Sequence, residues 1–214
     1  MKTVLVTGGT TRLGRAIAEG LRAQGWRVLT TSHRAEAGAD IVADFADAMG
    51  PVRAYATALR LLDGQPPDAL VNNAALFVGA SARLTAVNLS APQKLTRLMA
   101  GRETGRGAVV NILDTRILGV AREGLDAYAA TKAALLDDTR KAAALFAETL
   151  RVNAVAPGPV LPPTAVHEKA GETLIGRPTA DDVAACVAYL LTARATTGAV
   201  IPVDGGQHLL GGLR

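Results

Sequence analysis

A short apolar run followed by a glycine-containing turn opens the chain and most constrains its fold. Thr3 to Val6 is typical of a buried strand, and Leu13, Ile17 and Leu21 recur at helical spacing. The turn of residues 7–14 therefore joins a strand to the start of a helix. Backbone amides at such a helix start suit the pyrophosphate of a dinucleotide, although an ordinary strand–turn–helix connection gives the same pattern.

Glycines and one arginine define the chemistry of this turn. Gly8 lets the turn close, and Gly14 lets the helix approach the strand. Arg12 stands where the usual dinucleotide fingerprint has its middle glycine, so it adds a permanent cation beside the phosphates. The expected cofactor contacts from the turn are Gly8, Thr10, Arg12, Leu13 and Gly14.

The end of the second predicted strand, residues 26–31, indicates which dinucleotide binds. An acidic residue at this point would accept hydrogen bonds from a ribose 2′-hydroxyl. The chain instead has Ser32, His33 and Arg34, and Arg12 can reach the same place. These side chains fit a 2′-phosphate, so we expect NADP(H) rather than NAD(H); the alternative is that Arg34 is a solvated loop residue.

Composition fits one large α/β domain that spans residues 1–214. The 214 residues are 49% apolar and 20% charged, which is ample for a single core. The formal charge is +4, but Lys and Arg are scattered and only 3% of the residues are aromatic, which argues against nucleic-acid binding. The excess positive charge favours an anionic cofactor or substrate.

Cysteine and histidine usage argues against disulfides and metal sites. Cys186 is the only cysteine, and His33, His167 and His208 lack the spacing of metal ligands. Neither a signal peptide nor a membrane span is recognisable, because Gly8 interrupts the first apolar run. We expect a cytoplasmic protein that binds a small molecule and neither nucleic acid nor membrane.

The remaining pattern alternates strands with helices. Strands are predicted at 41–43, 69–71, 108–113, 151–155 and 199–203, and helices at about 47–62, 81–99, 128–148 and 179–191. Between Arg34 and the strand at 41–43 there is room only for a turn or a helical stub. Asp44 follows that strand and either contacts adenine or caps the next helix.

Polar and aromatic residues follow the strand at 69–71. Asn73 and Ala74 lie at the carboxyl edge of the sheet, where parallel sheets bind ligands, so both are candidate cofactor contacts. Phe77 is either a lid on the core or a platform for a flat ring. Asn88 is a polar residue of the helix at 81–99 that could face inward.

Tyr128 and Lys132 form a candidate catalytic pair. Because they are four residues apart, they share one face of a helix. A neighbouring ammonium stabilises phenolate, so we expect Lys132 to lower the pKa of Tyr128 toward the range useful for proton transfer. Asp114 and Thr115 end the central strand at 108–113 and face the same edge.

Taken in order, these motifs resemble the short-chain dehydrogenase/reductase family. The resemblance rests on residues 7–14, Asn72-Asn73-Ala74, Asn88, Asp114, Tyr128 with Lys132, Pro157-Gly158 and residues 197–206. It implies a doubly wound parallel sheet (Rossmann fold), a nicotinamide cofactor that also contacts Pro157 and Gly158, and Tyr128 as general acid. It further implies that Lys132 lowers the pKa of Tyr128 and holds the nicotinamide ribose. By the same resemblance, Asn73 borders that ribose and Asn88 completes a water relay.

Within the family, the chain is similar to the pteridine reductases and dihydromonapterin reductases. The shared features are Arg12, the pair His33-Arg34, Phe77 and Asp114. The similarity implies that Phe77 stacks on a pterin and that Asp114 stands where the family has its catalytic serine.

An aspartate at position 114 favours a ring C=N over a ketone as the reducible group. Ketone reduction builds an oxyanion that needs donors, and losing one donor costs about a hundredfold in rate. Reduction of C=N needs a proton at nitrogen, which a carboxyl can relay. The spacing leaves the assignment open, because Thr115 to Tyr128 fits the family's commonest interval and would supply the hydroxyl for ketone chemistry.

We therefore expect an NADPH-dependent reductase of a dihydropterin-like compound. Its substrate contacts would be Phe77, Asp114, Thr115 and Tyr128. The alternatives are a carbonyl or 3-oxoacyl reductase and a non-catalytic NADPH sensor, the latter disfavoured by the intact Tyr128–Lys132 pair. The family resemblance also implies a homodimer or homotetramer that pairs through the helix holding Tyr128.

Overall fold

A sheet of parallel strands organises the chain. The computed structural model describes residues 1–103, 105–118, 125–160 and 173–210, and within these ranges the sheet has seven strands. They are β1 Thr3–Val6, β2 Arg27–Ser32, β3 Ile41–Val42, β4 Ala69–Asn72, β5 Gly107–Ile112, β6 Leu150–Pro157 and β7 Val200–Val203. All pair in parallel in the order β3-β2-β1-β4-β5-β6-β7. The predicted doubly wound α/β fold is thereby confirmed.

Helices cover both faces of this sheet, which is why its central strands are almost continuously apolar. The helices are α1 Arg12–Ala23, α2 Gly50–Leu61, α3 Ser81–Thr85, α4 Ala91–Ala100, α5 Ala127–Leu145, α6 Ala180–Thr192 and α7 Gln207–Leu210. Alternate residues of β1 point to opposite faces: Val4 and Val6 pack in the cluster with α1 and α6, whereas Leu5 packs with α2, α4 and α5. None of the described helices combines the length and apolarity needed to cross a bilayer.

The order of the strands reverses between β1 and β4. The chain runs from β1 outward to β2 and β3, then returns to build β4 to β7 on the other side of β1. Ligands bind in open parallel sheets at the carboxyl edge of such a switch point, because the loops leave it in opposite directions and open a crevice. The glycine turn after β1 and the Asn73 loop after β4 therefore border the same crevice.

The segment between β2 and α2 contains a short connection and the side chain of Asp44. A single 3-10 turn, Ala35–Ala37, replaces the crossover helix, as the short interval required. The alternative that Asp44 caps α2 is wrong. The helix begins at Gly50, and Asp44 instead accepts a hydrogen bond from the amide of Ala46 at 2.9 Å.

The helix predicted at 81–99 contains a wider turn in its middle. The π-helical segment Ala86–Ser90 separates α3 from α4. Single π turns inside helices recur at functional sites, because the extra residue redirects side chains. Here the π segment carries Asn88, which is 1% exposed and faces inward.

Candidate active site

The glycine turn is built by close backbone approach. Gly8 has a φ of 62°, in the region that favours glycine, and its amide donates to the Thr31 hydroxyl at 3.2 Å. A Cβ on Gly14 would overlap the carbonyl oxygen of Gly8 and the side chain of Asn73. No larger residue fits at position 14 without moving the turn.

Hydrogen bonds join this turn to the loop after β4. The Thr7 hydroxyl accepts from the amides of Asn73 at 2.9 Å and Ala74 at 3.0 Å, and it donates to the Val71 carbonyl at 3.3 Å. The Asn73 side-chain amide donates to the carbonyls of Thr7 at 2.9 Å and Gly8 at 3.2 Å. The structure thus brings together the two segments that the sequence assigned to the cofactor.

The N-terminus of α1 fits a phosphate group. Among the described residues, no side chain caps this helix start, and its first turn holds no acidic residue. The amides there carry the positive end of the helix dipole toward the crevice. Arg12, the first residue of the helix, is held at a φ of 51°, a left-handed conformation that costs a non-glycine residue roughly 1 kcal/mol.

The other predicted coenzyme contacts lie at the end of β2, the neighbour of β1 in the sheet. His33 and Arg34 are both exposed, and the Arg34 amide donates to the Ser32 hydroxyl at 3.0 Å. Asp44 is also exposed and lies 3.9 Å from the Arg83 guanidinium. These side chains border the same edge as the glycine turn and remain open to solvent.

Tyr128 lies in the first turn of α5, in a cluster of aromatic and charged groups. Asp126 caps the helix by accepting from the Ala129 amide at 2.7 Å. The Tyr128 ring centroid is 4.8 Å from that of Phe77, with the rings inclined at 52°. Phe77 is 50% exposed, so it is not a core residue.

Asp114 and Arg116 complete this cluster. The negative charge of the Asp114 carboxylate acts on the Tyr128 phenol, and Asp114 Oδ1 accepts a hydrogen bond from Arg116 Nε at 3.2 Å. The carbon of the Arg116 guanidinium lies 5.2 Å from the ring centroids of both Phe77 and Tyr128. A carboxylate and a cation therefore both act on the phenol.

The expectation that Tyr128 has a lowered pKa is wrong for the protein without cofactor. Burial raises the pKa of Tyr128 well above its usual value, and the negative charge of Asp114 raises it further. Arg116 acts in the opposite direction and stabilises the phenolate, but it does not overcome burial. At neutral pH Tyr128 is therefore a firmly protonated phenol, the state of a proton donor.

Lys132 is enclosed in the protein. It is 2% exposed, and its ammonium donates to the Ile112 carbonyl at 2.8 Å. Burial lowers its pKa to about 8, which the charge of Asp114 partly opposes. The ammonium lies 5.8 Å from the Tyr128 ring centroid, so the predicted pair shares one side of the site.

Asn88 connects three elements below the site. Its side-chain oxygen accepts from the Leu76 amide at 2.8 Å, and its nitrogen donates to the Leu76 carbonyl at 2.8 Å. The same nitrogen donates to the Thr131 hydroxyl at 3.1 Å, one turn of α5 from Tyr128. Asn88 thereby fixes the loop that carries Phe77 against the catalytic helix.

The two candidates for the position beside Tyr128 point in different directions. Asp114 faces Tyr128, whereas the Thr115 side chain is 3% exposed and its hydroxyl donates to Asp204. Asp204 also accepts from the Gly206 amide at 2.9 Å and lies 2.8 Å from His208 Nδ1. The Thr115 proton is thus used in an internal network, and Asp114 is the residue next to the phenol.

Pro157 and Gly158 end β6 on the same edge of the sheet. Gly158 donates to the Val203 carbonyl at 3.0 Å, and a Cβ there would meet Asp204. The glycine is therefore required by the close approach of β7. Among the described residues, no three His, Cys, Asp or Glu side chains converge as metal ligands would.

Sequence reasoning overlooked two contributors to the site. Arg116 follows Asp114 and Thr115 directly, but no motif distinguished it from a solvated loop arginine. Asp204 stood in the closing Asp-Gly-Gly stretch, yet its hydrogen bond to Thr115 joins residues 89 positions apart. One sequence signal for Arg116 was available: it follows the end of a predicted strand, where residues of a site in a parallel sheet lie.

We predict that replacing Lys132 by Met changes how stability depends on pH. The unfolded lysine keeps its proton up to a pKa near 10.4, whereas the buried amine loses it at about 8. Folding therefore releases a proton between these values, and rising pH favours the folded state there. The wild type should gain about 1 to 3 kcal/mol in unfolding free energy, relative to Lys132→Met, between about pH 7.5 and pH 10.

Denaturant unfolding at several pH values measures this difference. Lys141→Met is the control, since Lys141 lies on the exposed side of the same helix. A constant difference between wild type and Lys132→Met over the pH range would contradict the buried, weakly basic amine.

Comparison with known proteins agrees with this geometry. The short chain dehydrogenase family matches residues 2–174. Protein FixR of Bradyrhizobium diazoefficiens is 31% identical, and the match covers 97% of this chain and 87% of FixR. The rhamnolipid-biosynthesis 3-oxoacyl acyl-carrier-protein reductase of Pseudomonas aeruginosa is also 31% identical, over 97% of this chain and 96% of that protein.

A solved structure carries the coenzyme. FolM alternative dihydrofolate reductase 1 from Brucella canis, complexed with NADP, is 33% identical and superposes with a TM-score of 0.80 over 97% of this chain and 94% of that one. The family match over residues 2–174 includes the glycine turn, the Asn73 loop and the helix that holds Tyr128 and Lys132. The protein is an enzyme of the short-chain dehydrogenase/reductase family.

Proposed function

We propose that this enzyme uses NADPH to reduce a ring C=N bond of a dihydropterin-like heterocycle. The observation that carries the proposal is that Asp114, and not Thr115, lies beside Tyr128. A carboxylate next to the proton donor suits a substrate that presents N–H groups and takes up a proton at nitrogen. It is a poor neighbour for an oxyanion that forms from a ketone.

The coenzyme would lie across the carboxyl edge of β1 and β4. Arg12, His33 and Arg34 would surround the 2′-phosphate, and Asp44 would face the adenine. The remaining contacts would come from the turn and strand ends: Gly8, Thr10, Leu13, Gly14, Asn73, Ala74, Tyr128, Lys132, Pro157 and Gly158. The exposure of Arg12, His33 and Arg34 supports this assignment, because cationic and imidazole groups there are accessible to a phosphate.

Proton delivery would fall to residues of the chain itself, while bound NADPH supplies the hydride. Tyr128 is kept protonated by burial, so it can donate to the substrate nitrogen. The Asp114 carboxylate acts on the same phenol and would orient its proton. Asn88, fixed between Leu76 and Thr131, would hold a water molecule that returns a proton to Tyr128.

Phe77 would supply the recognition of a flat ring. Its half-exposed ring borders Tyr128 on the side of the crevice, where a heterocycle could stack with an offset. The Brucella canis structure carries the name alternative dihydrofolate reductase. Dihydrofolate contains a reduced pterin ring, so this name supports the proposed substrate class.

A carbonyl or 3-oxoacyl reductase is the second candidate function. One observation favours it: Arg116 is ion-paired with Asp114 at 3.2 Å, which offsets the charge that would repel an oxyanion. The name of the Pseudomonas aeruginosa relative points the same way. Membership of an enzyme family with an intact Tyr128–Lys132 pair favours turnover over a non-catalytic sensor.

Assembly and location remain predictions. We propose a homodimer or homotetramer paired through α5, whose outer residues Ala134 and Ala144 are small, whereas Ala133 packs in the core. The expected cytoplasmic location follows the sequence interpretation alone.

We predict that NADPH oxidation depends on a dihydropterin and on Asp114. The wild type should turn over dihydropterins faster than 3-oxoacyl thioesters or simple ketones. Asp114→Ser should lower the dihydropterin kcat/KM by about a hundredfold, as expected for a lost proton-relay group. Thr115→Ala should change it by less than about fivefold, because its hydroxyl donates to Asp204.

The same panel can overturn the proposal. Activity on ketones that survives Asp114→Ser and is lost in Thr115→Ala would identify the carbonyl reductase instead. Phe77→Leu separates stacking from chemistry: it should raise KM for the dihydropterin with little change in KM for NADPH.

We also predict that Arg12 and Arg34 set the coenzyme preference. Arg12→Gly and Arg34→Ala should each weaken NADPH binding by about tenfold and leave NADH binding nearly unchanged, since only NADPH carries the 2′-phosphate.

Fluorescence titration with both coenzymes measures these affinities. Arg15→Ala is the matched control, because Arg15 is exposed and ion-paired with Glu19 at 3.7 Å on the outer side of α1. Equal losses for NADPH and NADH would remove the 2′-phosphate role.

A further inference from the structure

Arg116 occupies a central position among the groups that face Tyr128. It lies in the 3-10 turn Thr115–Ile117, which follows β5 directly. Its Nε lies 3.2 Å from Asp114 Oδ1 and its Nη2 lies 3.3 Å from Asp114 Oδ2, so the guanidinium binds the carboxylate in a bidentate manner. Its backbone amide donates to the same carboxylate at 2.9 Å.

The same guanidinium lies against both rings. Its carbon is 5.2 Å from the Phe77 centroid and 5.2 Å from the Tyr128 centroid, within the range of cation–π contact. The two rings are 4.8 Å apart, so the cation and the rings form a compact triangle. The Arg116 side chain is 40% exposed, and its far nitrogen lies 3.9 Å from the Asp126 carboxylate.

Among the described residues, four charged groups face Tyr128 from the elements packed around it. Asp114 and Arg116 come from the segment after β5, Asp126 caps α5, and Lys132 lies within α5. The two carboxylates oppose the loss of the phenol proton, whereas Arg116 favours it. Lys132 contributes less positive charge than its position suggests, because burial lowers its pKa to about 8 and its ammonium is bound to a carbonyl.

We propose that Arg116 is a positioning residue of the reduction. Its permanent positive charge offsets the negative charge of Asp114 as Tyr128 gives up its proton, and its guanidinium holds the side chains of Asp114 and Tyr128 beside Phe77. The inference rests on the proposed role of Tyr128 as proton donor and deepens it. In this arrangement Arg116 supplies the phenolate stabilisation that sequence reasoning assigned to Lys132. The residue never loses its charge, so this stabilisation persists at alkaline pH where Lys132 is neutral.

The test separates the charge of Arg116 from its shape. Arg116→Gln keeps a planar amide that can still donate to Asp114 and lie against the rings, but it has no charge. Arg116→Lys keeps the charge and lacks the bidentate guanidinium. Arg140→Gln is the matched control. Arg140 is exposed and lies on α5, the helix of Tyr128, twelve residues beyond that tyrosine.

The readout is the titration of Tyr128 in the complex with NADP. Fluorinated tyrosine, whose phenol is more acidic, brings the titration into an accessible pH range and is followed by fluorine NMR. The chain has only three tyrosines, and Tyr128→Phe identifies the resonance. We expect Arg116→Gln to move the midpoint to higher pH by about one pH unit, Arg116→Lys by less than about a third of that, and Arg140→Gln not at all.

Turnover should follow the titration. We expect kcat to fall about tenfold in Arg116→Gln and to recover largely in Arg116→Lys, with melting temperatures of all variants recorded to exclude unfolding. An unchanged Tyr128 midpoint in Arg116→Gln, or an equal change in Arg116→Lys and Arg116→Gln, would overturn the inference. Full turnover in Tyr128→Phe would instead overturn the proposed function, while the titration would still report the effect of Arg116.

Discussion

The hydrogen bonds between Thr7 and the Asn73 loop hold together the part of the molecule on which the rest depends. They tie the turn after β1 to the turn after β4, at the point where the strand order reverses. Without that tie the crevice at the carboxyl edge would have no fixed width. Gly14 meets the same loop from the other side, and its missing Cβ is what allows the contact. A small set of close approaches thus fixes where a dinucleotide can lie.

Opposed charges in a largely enclosed space govern the chemistry at this edge. Burial keeps Tyr128 protonated, and Asp114 reinforces that state, so the phenol is a donor that needs help to lose its proton. Arg116 provides part of that help and binds Asp114 at the same time. Lys132, the expected partner, is so completely buried that its own charge is partly lost near pH 8. A bound nicotinamide nucleotide would add further charge and exclude further water, which strengthens every one of these interactions.

Much of the fold could be predicted from residue patterns, because the apolar strands and glycine turns are local signals. The stub after β2 followed from the few residues between Arg34 and Ile41, and Asn88 was correctly expected to face inward. The π segment that directs Asn88 inward has no comparable signal, since it depends on how α3 and α4 pack on the sheet. The cap proposed for Asp44 failed because the helix starts six residues later, at Gly50.

The site was harder to predict where burial decides the outcome. Spacing along a helix correctly put Tyr128 and Lys132 on one side, but it could not show that Lys132 is enclosed or that the pKa of Tyr128 is raised. The choice between Asp114 and Thr115 depended on Asp204, which is distant in sequence and close in space. Arg116 required the same three-dimensional information, because only the fold brings its guanidinium onto the rings of Phe77 and Tyr128.

The most direct test of this account is a crystal structure of the enzyme with NADP and a dihydropterin bound together. The account predicts that the heterocycle stacks on Phe77, with its ring nitrogen or amino group about 3 Å from the Asp114 carboxylate and within reach of the Tyr128 hydroxyl. A heterocycle bound away from Phe77, or one contacted by the Thr115 hydroxyl while Asp114 turns to Arg116 alone, would contradict it.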